Sequence, residues 1–176
     1  GKKPQARVVT AACKGCGVCA GACPSGAVSP AGFTDEMILA QIDEALANTP
    51  EQKILAFCCN WCSYAGADFA GVSRLAYPPQ VRIIRTLCAG RIHPKFILRA
   101  FERGAGQVLV SGCHPPGDCH YVSGNLRAKE RVEKLWPKLA QQGIDPSRLR
   151  LAWISATEGR AFQKVIEEMA KALAGT

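Results

Sequence analysis

The chain has 176 residues, a length that holds one ordinary domain or one small and one medium domain. Hydrophobic residues make up 48% of it and charged residues 20%, which excludes a disordered or collagen-like chain. The longest unbroken apolar run, residues 54–59, falls far short of the ~20 residues a membrane helix needs, and no charged-then-apolar leader opens the sequence, so neither membrane insertion nor secretion is expected.

Ten cysteines are the anomaly. Secreted disulfide scaffolds are small and poor in core, whereas long aliphatic segments here accompany tightly clustered Cys, so metal–thiolate chemistry in a reducing cytoplasm is the expected use. The formal net charge of +8 suggests an acidic partner, but it counts every thiol as neutral. Two tetrathiolate iron–sulfur clusters at about −2 each would leave about +4, which removes the main support for nucleic-acid binding.

In chain order, the first feature is Cys13-Lys-Gly-Cys16-Gly-Val-Cys19-Ala-Gly-Ala-Cys23-Pro24, the bacterial ferredoxin spacing C-x2-C-x2-C-x3-C-P. Three thiolates must wrap one corner of a cubane while backbone amides face its sulfides, and Gly15, Gly17 and Gly21 permit that close approach. Cys13, Cys16 and Cys19 are assigned to one [4Fe–4S] cluster. In two-cluster ferredoxins the fourth Cys of such a run serves the other cluster, so Cys23 belongs to a neighbouring cluster whose own run is missing here. The chain begins on Gly1-Lys-Lys-Pro4 without Met, so half of a two-cluster ferredoxin-like domain is expected, with the other half upstream or on a partner.

An amphipathic helix follows over 34–48, with Ile38, Leu39, Ile42, Ala45 and Leu46 on one stripe, Thr34 as its N-cap and Pro50 beyond its end. It is read as a tether, giving an organisation of 1–33 as partial ferredoxin-like segment, 34–50 as tether and 51–176 as α/β domain. The last unit alternates short apolar runs with helices: strands at 53–57, 81–86, 107–111 and 149–154, and helices near 67–75, 94–103, 125–142 and 158–174. Pro94 suits a first helical position, Ser155 and Glu158 suit a capping box, and Pro137 is expected to kink or divide the third helix. Four strands alternating with four helices imply a flavodoxin-like, doubly wound parallel sheet.

Cys58, Cys59, Cys62, Cys88, Cys113 and Cys119 all fall at or just beyond the carboxyl ends of the first three strands, where open parallel sheets bind ligands. Three loops far apart in sequence thereby converge on one centre. Cys58 alternates with Cys59 across the strand and is read as a buried structural thiol. Two other uses of these residues stay open: Cys59-x-x-Cys62 as a thioredoxin-like dithiol, and a tetrathiolate zinc site. His114 and His120 are candidates for ligation or for hydrogen bonding to cluster sulfur. Trp61 and Tyr64 shield the cluster or cover core, and Arg82, Arg85, Arg91, Arg99 and Arg103 form a docking face or a solvated one. Gly66, Gly71 and Gly104-x-Gly106 are read as turn or packing glycines, since the phosphate-loop Lys is absent. No Ser-His-Asp or paired-carboxylate arrangement is evident, which counts against a self-contained enzyme.

The segments Phe57-Cys-Cys-Asn-Trp-Cys-Ser-Tyr-Ala-Gly-Ala-Asp68, Tyr77-Pro-Pro-Gln-Val-Arg82, Cys88-Ala-Gly-Arg91 and Gly112-Cys-His-Pro-Pro-Gly-Asp-Cys-His-Tyr121 resemble the delta subunit of methyl-viologen-reducing hydrogenase. The ferredoxin run with Gly32-Phe-Thr-Asp-Glu-Met-Ile-Leu-Ala-Gln-Ile42 looks like the tail of the A-type subunit of heterodisulfide reductase. The resemblance implies a [2Fe–2S] cluster on ligands drawn from Cys59, Cys62, Cys88, Cys113 and Cys119. It further implies electron relay between a hydrogenase or formate dehydrogenase partner and a flavin-containing heterodisulfide reductase A-like subunit. Pro115-Pro116 departs from the family, whose loop carries a single Pro at this point.

Overall fold

The structure, a computed structural model, describes residues 6–175. The starting Gly1-Lys-Lys-Pro4 lies outside the described residues. The elements are α1 (Val18–Ala22), α2 (Asp35–Ala45), β1 (Ile54–Cys59), α3 (Ser63–Val72), β2 (Val81–Thr86), α4 (Pro94–Glu102), β3 (Gln107–Gly112), α5 (Gly124–Gln141), β4 (Leu149–Trp153) and α6 (Gly159–Ala174), with single 3-10 turns at Pro50–Gln52, Ala89–Arg91 and Pro146–Arg148.

The four strands make one all-parallel sheet in the order β2-β1-β3-β4. β1 pairs with β2 from Ile54↔Val81 to Cys59↔Thr86 and with β3 from Ile54↔Gln107 to Cys58↔Ser111. The chain runs from β1 to one side and then returns to the other, so strand order reverses at β1/β3. In a sheet of this winding a ligand crevice opens at that point, beyond the carboxyl ends. β1 and β3 are buried along their whole length, which is why both read as continuous apolar runs rather than alternating ones.

Alternation along β1 sorts its residues between two cores. Leu55, Phe57 and Cys59 join Ile84, Phe96, Ile97, Val132, Leu135 and others in the larger core, beneath α2, α4 and α5. Ile54, Ala56 and Cys58 join Ala67, Leu109, Phe162, Ile166 and Met169 beneath α3 and α6. Helices on both faces of a parallel sheet are the doubly wound α/β arrangement.

Helix α2 is built as its sequence predicts: the Thr34 hydroxyl accepts from the Met37 amide at 3.3 Å. Its stripe residues Ile38, Ile42 and Leu46 are buried in the larger core of the sheet, and the Lys53 ammonium closes its carboxyl end on the Ala45 carbonyl at 2.8 Å. Asp43 takes a bidentate pair of hydrogen bonds from Arg99 at 2.8 Å each, and Asp35 pairs with both Arg91 and Lys95. The helix read as a tether therefore lies flat on α4, held by apolar contact between two ionic anchors.

Local expectations are corrected at four places. α5 is undivided: it runs on through Pro137 because Pro137 and Glu133, whose carbonyl loses its partner, both lie on the exposed side, while Ala128, Val132, Leu135 and Leu139 keep the buried stripe continuous. α3 begins at Ser63, four residues before its expected start, because the loop after β1 is only three residues long. Of the expected capping box at α6, the Glu158 carboxylate accepts from the Ser155 amide at 2.7 Å, and the helix starts at Gly159. Arg91, Arg99 and Arg103 are engaged with Asp35 and Asp43, so the arginines do not make one docking face.

If α2 belongs to the α/β core, Ile42→Ala should cost about 2–5 kcal/mol in urea unfolding of the whole chain, in a single transition. A loss below about 0.5 kcal/mol, the usual size for a surface substitution, would show that α2 is only a linker.

Candidate metal centre

Short polar bridges hold the three strand-end loops at one rim. After β1, the Ser63 hydroxyl accepts from the Cys59 amide at 2.9 Å and donates to the Ser111 carbonyl at 3.0 Å, which pins the Cys59–Cys62 turn across to β3. Thr86 donates to the Cys58 carbonyl at 3.3 Å from the β2 side. Asn125, at the start of α5, donates to the carbonyls of Cys113 and His114 at 3.3 and 3.1 Å. Ser63, Thr86 and Asn125 are all buried and were not singled out from sequence; only the rule that a buried polar side chain needs a partner marks them, and burial is a tertiary property.

Sulfur gathers inside this frame. Cys59, Cys62 and Cys113 are buried with their Sγ atoms within 4.8 Å of one another, and the Cys59 and Cys113 sulfurs are 4.0 Å apart. They straddle the β1/β3 switch point. Cys62 and Cys113 are joined as a disulfide. Cys88, beyond β2, and Cys119, in the loop after β3, meet over Gly124: a Cβ at Gly124 would stand 2.1 Å from the Cys88 sulfur and 3.3 Å from that of Cys119. The Gly124 amide donates to Cys119 Sγ at 3.1 Å. The neighbouring Cys88 thiol, with backbone amides of Trp61, Ala89 and Cys62, draws Cys59 toward thiolate, while Cys59 and burial push Cys88 the other way. The five predicted sulfurs thus occupy one buried rim, and an all-thiol donor set fits iron–sulfur or zinc rather than a hard cation.

Cys58 stands apart. It is fully buried on the opposite face of the sheet, and desolvation pushes its thiol up to about 12. The alternative of a Cys59–Cys62 dithiol is not the pair that forms, since Cys62 bonds to Cys113. His114 pairs through Nε2 with Glu158 at 2.7 Å, and His120 stacks on Trp61 with ring centroids 4.0 Å apart; neither joins the sulfur group among the described residues. Trp61 donates to the Tyr121 hydroxyl at 2.8 Å and so ties the Cys59–Cys62 turn to the loop that carries Cys119, while remaining 46% exposed. That loop, with Pro115-Pro116 inside it, closes on an Asp118 amide to His114 carbonyl bond of 3.2 Å.

The early run is more open. Cys13 and Cys19 are exposed, Cys16 and Cys23 half-buried, and among the described residues their sulfurs do not gather into a set of three. Gly15 and Gly17 adopt φ of +69° and +73°, left-handed conformations that wind the loop back on itself between ligand positions. The Ser25 hydroxyl at 3.4 Å draws the Cys23 thiol down to about 7. All four thiols are free, and their chemistry and loop winding fit a cluster. Gly21 has another use: a Cβ there would fall 2.5 Å from the Gly90 carbonyl oxygen. A Cβ at Gly90 would in turn fall 2.9 Å from Gly124 Cα and from a Val18 methyl. The early run therefore docks on the turn Ala89–Arg91, directly after Cys88, and that turn docks on the start of α5 beneath Cys88 and Cys119.

Two substitutions separate these roles. Gly124→Ala should push a methyl into the Cys88 sulfur and lower iron at the strand-end site of anaerobically reconstituted protein, with iron at the early run retained. Cys58→Ser should leave iron content unchanged while costing about 1–3 kcal/mol for a buried hydroxyl.

Comparison with known proteins agrees with this geometry. Residues 54–175 match the family model for the methyl-viologen-reducing hydrogenase delta subunit, and residues 6–29 match the 4Fe-4S binding domain. The chain is 52% identical over 124 residues to the D-type iron-sulfur subunit of the vhc F420-non-reducing hydrogenase of Methanococcus voltae, covering 70% of this chain and 85% of that protein. It is 48% identical over 118 residues to the D-type iron-sulfur subunit of the F420-non-reducing hydrogenase of Archaeoglobus profundus, covering 67% and 85%. It is also 49% identical over 142 residues to the A-type subunit of the ferredoxin/F420H2-dependent CoB-CoM heterodisulfide reductase of Methanosarcina acetivorans, covering 80% of this chain but 18% of that protein. A doubly wound sheet with a sulfur-lined switch point, preceded by a 4Fe-4S binding segment, thus belongs to the methyl-viologen-reducing hydrogenase delta subunit family.

Proposed function

We propose that the chain is an iron–sulfur electron-transfer module. Cys13, Cys16 and Cys19 hold a [4Fe–4S] cluster, Cys23 serves a neighbouring cluster, and ligands drawn from Cys59, Cys62, Cys88, Cys113 and Cys119 hold a [2Fe–2S] cluster. The observation that carries the reading is the docking of the early run on the turn that follows Cys88. It leaves only Ala89–Arg91 between the two cysteine sets, as a relay between two one-electron centres requires. The protein's contribution is to hold thiolates, aim amide donors and exclude water, while the clusters supply the one-electron chemistry.

The proposed partners are a hydrogenase or formate dehydrogenase on the donor side and a flavin-containing heterodisulfide reductase A-like subunit on the acceptor side. Relatives named as hydrogenase iron-sulfur subunits support the hydrogenase, and relatives named as A-type subunits of heterodisulfide reductase support the acceptor. Formate dehydrogenase rests on the resemblance of the sequence motifs. A cytoplasmic setting suits free thiols, and among the described residues no helix is long and apolar enough to cross a membrane. The functional division is 1–33, 34–50 and 51–176, with residues 34–50 serving as both connection and core layer.

A second reading has its own observation. The Cys62–Cys113 disulfide supports a redox-active dithiol, with two electrons and two protons converting it to two thiols. Ligation by those two sulfurs needs the reduced pair, so disulfide and metal centre are alternative states of the same atoms. Anaerobic purification distinguishes the readings. A brown protein with two reducible paramagnetic species is expected; a colourless zinc protein would replace iron by a structural role, and a colourless metal-free protein with a reducible Cys62–Cys113 bond would make it a dithiol.

A further inference from the structure

Arg91 is the largest fully buried side chain among the described residues. Its Nη2 donates to the Asp35 carboxylate and to the Phe33 carbonyl at 3.5 Å, and the guanidinium carbon lies 5.1 Å from the centre of the Phe96 ring. Nε and Nη1 are buried with no hydrogen-bond partner. A buried guanidinium with unmet donors is costly, because those N–H groups have lost water and gained nothing in return. The charge count points the same way. Asp35 is shared between Arg91 and Lys95, so one carboxylate faces two cations, and Arg131, which has Glu130 beside it, stands close by with its Nη1 on the Gly90 carbonyl at 2.7 Å. Burial and the positive charges of Lys95 and Arg131 together depress His93 in the same neighbourhood. The surplus awaits an anion.

The position of Arg91 identifies which anion. A Cβ at Gly17 would fall 2.6 Å from Arg91 Cδ and 3.4 Å from Nε, so the guanidinium stem runs against the backbone between Cys16 and Cys19. We propose that the Nε–H and Nη1–H groups of Arg91 donate hydrogen bonds to sulfur of the cluster held by Cys13, Cys16 and Cys19, and thereby set its reduction potential. This rests on the reading that the early run holds a [4Fe–4S] cluster. Added negative charge on reduction strengthens bonds from a cation, so Arg91 favours the reduced form. Arg91 also sits three residues after Cys88, so one turn carries a thiol of the strand-end site and a donor to the early cluster.

The test is an anaerobic redox titration of the reconstituted full chain, followed by electron paramagnetic resonance. Arg91→Lys keeps the charge and most of the stem but loses the planar fork. The early cluster should become about tenfold harder to reduce, about 59 mV for a one-electron couple, with the strand-end species unmoved. Asp35→Asn, which loosens the ion pair but leaves the donors in place, should not lower that potential. An unchanged potential in Arg91→Lys, or an equal fall in Asp35→Asn, overturns the proposal. Should Arg91→Lys fail to fold, unsubstituted protein labelled with 15N-arginine decides: nitrogen and exchangeable-proton couplings to the reduced early cluster support the proposal, and their absence overturns it. Iron analysis of the unsubstituted protein comes first, because lack of any early cluster would overturn the underlying reading itself rather than the role of Arg91 alone.

Discussion

Parallel pairing is the constraint on which the rest depends. Because β1, β2 and β3 run in the same direction, the chain leaves all three at one edge of the sheet, and residues more than fifty positions apart arrive together there. No antiparallel meander of the same strands would do this, since alternate ends would point away. The reversal of strand order at β1/β3 then opens space at that edge, and Cys59, Cys62 and Cys113 fill it from either side. Hydrogen bonds from Ser63, Thr86 and Asn125 fix the loops, so sulfur positions follow from backbone pairing rather than from loop chance.

Glycine sets the second scale of approach. At Gly21, Gly90 and Gly124 there is no room for a methyl group, and the three positions form a continuous line from the early run through the Ala89–Arg91 turn to the start of α5. Backbones in direct contact there join the early run to the turn after Cys88 and that turn to the start of α5. Arg91 occupies the flank of this line, buried and with two donors unmet, and its charge is anchored on one side only, by Asp35. An electrostatic surplus at a seam between two thiol sites is the arrangement an anionic redox centre calls for.

Adjacent residues in β1 show how completely pleating governs chemistry. Cys58 and Cys59 are neighbours in sequence, yet one faces apolar side chains of α3 and α6 and stays a thiol, while the other faces thiols and amides and is drawn toward thiolate. One residue of register would exchange the roles. The Cys62–Cys113 bond adds that the same rim supports sulfur–sulfur bonding, so the reducing state of the surroundings decides whether these two sulfurs are joined or free.

Much of this was determined by the sequence alone. Continuous apolar runs at β1 and β3 demanded a sheet covered on both faces, helical stripes in between demanded parallel crossovers, and the C-x2-C-x2-C-x3-C-P spacing identified the early run without any fold, because a cubane is gripped locally. Strand ends were legible to within two residues, and with them the convergence of five late cysteines. Tertiary structure alone decided that α2 packs into the sheet's larger core, because its stripe is equally consistent with any apolar partner and the pairs Asp35–Lys95 and Asp43–Arg99 choose α4. It alone placed Pro137 harmlessly on the solvent side, paired Cys62 with Cys113 instead of Cys59, and turned Arg91 inward. The division has a physical cause: periodicity and ligand spacing are properties of a short stretch of chain, whereas burial and the partner of a thiol or guanidinium depend on which distant backbone comes to rest beside it.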